Sequence, residues 1–200
     1  MTLRAATDGS ALNNPGPAGW AWVIDADNWA AGGWQSATNN KAELTAILEL
    51  LHATAHIDEE LVILTDSKYA IDSITKWMAG WKRRGWRKAD GSPVLNLEIM
   101  QDLDAAVQGR DVRFEWVKGH AGHPLNEMAD RIANDAAKSF KTNQTLQTGP
   151  GLADTTETAA PAVAAKTDDT SDLLARLTAL EARVAELENT VHSSAANKLF

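Results

Sequence analysis

The chain has 200 residues, a formal net charge of −8 and no cysteine, which excludes disulfide frameworks and thiolate metal sites. No basic and apolar leader opens it and no apolar run is long enough to span a bilayer, so the expectation is a soluble cytoplasmic protein with no membrane partner. All eight Trp and the single Tyr precede residue 117, and no aromatic falls between Lys141 and Leu199, so the packed core belongs to roughly the first 140 residues.

Residues 3–8 (LRAATD) read as a short strand that runs into a turn dense in Gly, Pro and Asn. Residues 19–25 and 28–36 read as two more strands joined by a tight turn, which makes an antiparallel meander. Apolar residues at 44, 47, 48, 51 and 55 mark one face of a helix over 40–56. The continuous run LVIL at 61–64 predicts a strand covered on both faces, with Asp66 at its end and a helix over 67–78 after it. A helix over 94–107, a strand over 112–117, a Gly/His loop and a helix from Pro124 to about residue 139 complete this part. Strands followed by strand–helix alternation predict an α/β fold, a mixed sheet flanked by helices. Ligands of such sheets collect at the carboxyl ends of strands, where Asp8 and Asp66 fall.

From 141 to 170 the composition turns to Thr, Ala, Gly, Pro and Asp, which predicts a flexible linker. Beyond it Leu173, Leu177, Leu180, Val184, Leu187 and Val191 alternate in steps of four and three. That seam predicts a coiled-coil helix over 171–192 joining copies of the chain as a dimer or trimer through 171–191, followed by a tail at 193–200. An amphipathic helix packed on the main domain is the alternative.

Charge is unevenly placed. Between residues 76 and 88 stand six basic side chains (Lys76, Lys82, Arg83, Arg84, Arg87 and Lys88), interleaved with Trp77, Trp81 and Trp86. An otherwise acidic body with one basic, Trp-rich segment suggests a carboxylate site with a separate anion grip. Taken singly, the acids have ordinary roles: Asp8 in a turn, Glu43 in a capping box with Asn40, Asp66 as a helix N-cap and Asp130 on a solvated helix. Grouped together without cysteine, they suit a hard cation such as Mg²⁺ or Mn²⁺. Two such ions about 3.5–4 Å apart serve phosphodiester hydrolysis.

TDGS at 7–10 with NPGP at 14–17, NNKAEL at 39–44, TDS at 65–67 and WVKGHAGHPLNEMAD at 116–130, with the basic protrusion at 76–94, resemble bacterial ribonuclease HI across about residues 2–140. The resemblance implies a five-stranded ribonuclease H-like sheet and Mg²⁺-dependent cleavage of the RNA strand of RNA–DNA hybrids, giving 5′-phosphate and 3′-hydroxyl ends. It further implies that Asp8, Glu43, Asp66 and Asp130 hold two metal ions, Asp8 bridging both, while His120 assists proton transfer or product departure. His123 receives no catalytic role and reads as a capping or packing histidine. Asn14, Asn39 and Asn40 match positions that contact the hybrid, Thr38 with Asn14 can hold a phosphate, and Trp77, Trp81, Lys82, Arg83, Arg84, Trp86, Arg87 and Lys88 belong to the protrusion, whose alternative reading is a helix–turn–helix surface with a Trp, Trp81 first, buried in its hinge. In one respect the chain departs from the family: Ser36 stands where an Arg often helps hold a DNA phosphate, which shifts the expected burden onto the protrusion. Two rivals are an idle hybrid-binding module oligomerised by its tail, and a nuclease of similar fold acting on another nucleic acid. The four acids argue against the first, and the GHAGHP loop and the protrusion against the second.

Overall fold

The structure, a computed structural model, describes residues 2–152. Most of the expected linker, the coiled-coil helix expected over 171–192 and the tail at 193–200 lie outside the described residues. Three strands open the fold: β1 (Thr2–Ala11), β2 (Gly16–Val23) and β3 (Trp29–Ala37). There follow α1 (Asn39–Ala53), β4 (Glu60–Thr65), and a helical stretch made of α2 (Lys68–Asp72), one π-helical segment (Ser73–Trp77) and α3 (Met78–Arg83). Last come α4 (Leu97–Val107), β5 (Val112–Trp116) and α5 (Pro124–Thr142).

The sheet order is β3-β2-β1-β4-β5. Short links make β1–β2 and β2–β3 antiparallel, whereas β4 and β5, each reached through helices, pair in parallel. This is the mixed, helix-flanked sheet that the pattern predicts. The first hairpin is longer than expected: Ala11 pairs with Ala18, so much of the Gly/Pro/Asn segment is held in the ladder and the turn is confined to residues 12–15.

Alternate residues of the same strands feed two cores. Ala5, Trp22, Leu61 and Ile63 pack with Leu44, Ile47, Leu51, Met100 and Leu103 of α1 and α4. Their neighbours Ala6, Val23 and Leu64 pack with Ala129 of α5, and Ala21 and Ala31 with Ala133 and Ala136. The row of alanines lets α5 lie close on the strands. With both faces covered, all four residues of the LVIL run are buried.

The first twelve residues of the segment read as a linker behave differently. Lys141 and Thr142 complete α5, and residues 143–152 form a strap around the free edge of β3. Ala31 N–H donates to Thr148 O at 3.0 Å and Gly151 N–H to Trp29 O at 3.0 Å. Leu146 packs into one core and Leu152 into the other, so the strap passes from one face of the sheet to the opposite face. Composition hides this, because two leucines and a few backbone bonds suffice to anchor an otherwise polar segment. Ending the chain at Thr142 rather than Leu152 is expected to lower the melting temperature by roughly 5 °C, through the loss of about 2 kcal/mol of apolar burial and edge hydrogen bonds. Equal melting of the two chains would contradict an anchoring role. Among the described residues no helix is long and apolar enough to cross a membrane.

Candidate active site

Asp8 lies on the central strand β1, opposite Ala21 of β2, and is buried at 7% exposure. One of its oxygens, Oδ1, accepts the Gly9 backbone N–H at 2.7 Å. Gly9 also decides how near α1 can come. A Cβ there would sit 2.2 Å from the Glu43 backbone nitrogen, so only glycine lets the start of α1 press against β1 beside Asp8.

Glu43 enters from that helix. Its expected capping-box role is replaced: Thr38 is the N-cap, its Oγ1 accepting from Lys41 N–H at 3.2 Å, and the Glu43 carboxylate is turned toward other partners. Asn39 Nδ2 donates to Glu43 Oε1 at 2.7 Å, and the Ser67 hydroxyl donates to Oε2. Ser67 is also the N-cap of α2, accepting from Ala70 N–H at 3.2 Å, which releases Asp66 from the capping role open to it in the sequence. Asp66 stands one residue beyond β4. Gly119 lies so close that a Cβ there would be 2.3 Å from Asp66 Oδ2.

Asp130 projects from α5, and His120 Nδ1 is 3.6 Å from its Oδ2. The His120 side chain is 79% exposed on a residue with φ of +52°, in the loop ahead of α5. His123 precedes Pro124 as the N-cap residue without a side-chain capping bond, and its Nδ1 is buried with no hydrogen-bond partner. The capping half of its expected role is therefore not realised.

Electrostatics tie the four acids together. Burial pushes the Asp8 carboxyl up to about 8, and the charges of Asp66, Asp130 and Glu43 push in the same direction against the lowering effect of Gly9 N–H. Glu43 is raised as well, first by burial and then by Asp66, with Ser67 and Asn39 opposing. Burial and mutual repulsion of carboxylates are relieved by a bound cation, and oxygen donors of this kind suit Mg²⁺ or Mn²⁺. Among the described residues no three acidic or histidine groups already form a finished metal cage.

The residues expected to meet nucleic acid fall into two zones. In the first, Asn14 Oδ1 accepts Asn39 N–H at 3.1 Å, joining the first hairpin to the start of α1, and Thr38 and Asn40 are exposed beside it. Ser36 is exposed on β3, and Lys41 Nζ lies 4.8 Å from the ring of Trp34, two residues back along that strand. Lys41 and Asn96 line a cleft of about 340 Å³, and neither stands out in the sequence. A lone Asn ahead of a helix, here with φ of +53°, carries a turn signal and nothing more.

In the second zone the protrusion divides by function. Trp81 is buried in the main core, only 8% exposed, so that little of its ring reaches the groove that it helps to line. It lies one turn from Trp77 on the same helical stretch, facing the core. Trp77 is 41% exposed and meets Tyr69 and Trp81 at centroid distances of 6.3 and 5.8 Å. Trp86 is half-buried against the same core. Lys82 is paired with Asp104 of α4 at 2.6 Å, and Arg87 Nη1 donates to Gly91 O at 2.9 Å. Arg83, Arg84 and Lys88, with Lys76, instead line a groove of about 670 Å³ whose apolar side is Trp77 and Leu95.

The family model described as RNase H matches residues 2–138. Ribonuclease H of Tropheryma whipplei (strain Twist) is 58% identical over 149 residues, covering 74% of this chain and 92% of that protein. Ribonuclease H of Alcanivorax borkumensis is 46% identical over 141 residues, covering 69% and 93%. Among solved structures, that of LC9-RNase H1, a type 1 RNase H with the type 2 active-site motif, superposes with a TM-score of 0.61 at 30% identity, covering 78% of this chain and 79% of that one.

Proposed function

Because the chain belongs to the ribonuclease H family, we propose that it hydrolyses the RNA strand of RNA–DNA hybrids at the carboxylates around Asp8, leaving 5′-phosphate and 3′-hydroxyl ends. One observation carries the reading: a buried aspartate on the central strand, crowded by three further acids that arrive from α1, from the end of β4 and from α5. A structural role offers no reason to gather such charge.

In this reading Asp8, Glu43, Asp66 and Asp130 hold divalent metal, Mg²⁺ in the first place and Mn²⁺ as a substitute. Two such ions, when bound, promote attack by water and stabilise charge on the leaving 3′ oxygen. Asn39 and Ser67 orient the Glu43 carboxylate from opposite sides. His120, on its exposed loop beside Asp130, carries a proton between the reacting centre and solvent. Asn14, Thr38, Asn39 and Asn40 present amides and a hydroxyl to the hybrid, where contact with a 2′-hydroxyl distinguishes the RNA strand. Arg83, Arg84 and Lys88 meet phosphates of the same duplex outside the reacting centre. The heptad pattern of 171–191 supports assembly into dimers or trimers, which sedimentation of the full chain against residues 1–152 measures, and the absence of cysteine supports action in the cytoplasm.

Asp66→Asn tests the site. Hybrid cleavage in Mg²⁺ is expected to fall at least about a thousandfold, whereas His120→Ala lowers kcat roughly ten- to a hundredfold without abolishing it. Cleavage by Asp66→Asn near the parent rate would remove Asp66 from the chemistry.

A further inference from the structure

Asp66 occupies a position that the sheet does not support. The ladder between β4 and β5 ends at Thr65, whose carbonyl accepts Val117 N–H at 3.1 Å. Beyond that point the chain after β5 turns away into the histidine loop, so the next carbonyl, that of Asp66, has no strand opposite it. Its hydrogen bond comes from a side chain: the indole Nε1–H of Trp116 donates to Asp66 O at 3.1 Å.

Trp116 is otherwise oddly placed. It shares the alternation of Val112 and Phe114, which pack against the main core, yet it overhangs the end of the sheet and remains 47% exposed. Lys68, in the first turn of α2, lays its Nζ 4.6 Å from the ring centroid, so the indole is held between α2 and the end of β4. Three residues further on, Gly119 borders the Asp66 carboxylate itself. One short stretch, 116–120, thus grips the Asp66 peptide at one end, adjoins its carboxylate in the middle and presents His120 to Asp130 at the other.

We propose that Trp116 is a positioning residue: its indole N–H fixes the Asp66 peptide, and with it the direction of the Asp66 carboxylate toward Asp8 and Glu43. The inference rests on the reading of Asp66 as a member of the active site. Support for a metal-holding carboxylate through its own backbone belongs to the outer-shell contacts that tune metal sites.

The test is Trp116→Phe in the full chain, which keeps an aromatic face for Lys68 but removes the donor together with one ring of the indole. A second variant carries benzothienylalanine at 116, the same bicycle with sulfur in place of N–H. Five quantities are read: kcat and KM for a labelled hybrid, hybrid affinity with divalent cations chelated, Mn²⁺ affinity by calorimetry, and the melting temperature. The expected result in both variants is a fall in kcat of about ten- to a hundredfold, KM and chelated hybrid affinity within about twofold of the parent, and weaker Mn²⁺ binding. Parental kcat and Mn²⁺ affinity in the benzothienyl variant would overturn the proposal. A loss confined to KM would also overturn it, since Trp116 would then be a substrate contact. A parent chain that leaves the hybrid intact would overturn the activity itself, a failure distinct from either of these.

Discussion

The Asp8→Asn variant is expected to lose hybrid cleavage by at least about a thousandfold and, without divalent cations, to melt at a higher temperature than the parent. The second effect follows from linkage. An aspartate carboxyl ordinarily near 3.8 is held at about 8 in the fold. Below pH 4 it is protonated in both folded and unfolded chains and contributes nothing. As the pH rises from 4 to 8 the unfolded chain ionises while the folded one resists, so stability drains away, and the loss is complete above 8. Each unit of such a shift is worth about 1.4 kcal/mol. Asparagine keeps the shape and can still accept Gly9 N–H, but carries no charge to suppress. The gain in melting temperature should therefore exceed about 5 °C at pH 8 and disappear near pH 4. Added Mg²⁺ should stabilise the parent more than the variant, because binding to the folded state alone shifts the equilibrium. Melting curves across this pH range, with and without chelator, check both statements. A variant that melts lower than the parent at pH 8 would mean that Asp8 is an ordinary structural acid.

Neutralising Arg83, Arg84 and Lys88 together is the second large effect. These side chains line the protrusion's groove, Arg84 while also donating Nε–H to Arg87 O at 3.2 Å, whereas Lys82 is paired with Asp104 and Arg87, which does not line the groove, is bonded to Gly91 O. Each phosphate that a cation no longer neutralises takes about 0.9 off the slope of log affinity against log salt. The triple variant should therefore flatten that slope by roughly 2 to 3 and weaken hybrid binding more than tenfold at low salt. Replacing Lys82 and Arg87 should mainly lower stability and leave the slope nearly unchanged. The reverse pattern would place the phosphate grip on the inner pair.

Much of this is legible in the order of residues alone. The LVIL run reads as a strand covered on both faces, as it is, and Asp8 and Asp66 read as standing at strand ends, which the β1–β4 pairing brings to one end of the sheet. What stays hidden depends on three-dimensional competition for the same role. Thr38 and Asn40 are both good caps for α1, and only packing at Gly9 shows that Thr38 caps and Glu43 turns to the site. Trp77 and Trp81 are alike in sequence, yet one turn separates a core residue from an exposed one. The strap at 143–152 carries too little apolar content to register in composition. Trp116 reads as one more inward strand residue, since nothing in the alternation reveals that the sheet ends beneath it.

The central claim is that the carboxylates around Asp8 make this chain a nuclease for the RNA strand of hybrids. Its most direct test is digestion, in Mg²⁺, of three labelled duplexes of one sequence: an RNA–DNA hybrid labelled on each strand in turn, duplex DNA and duplex RNA. Cutting is expected in the hybrid's RNA strand alone, with 5′-phosphate and 3′-hydroxyl ends and no cutting in chelator. Intact hybrid, or equal cutting of duplex DNA or duplex RNA, would contradict it.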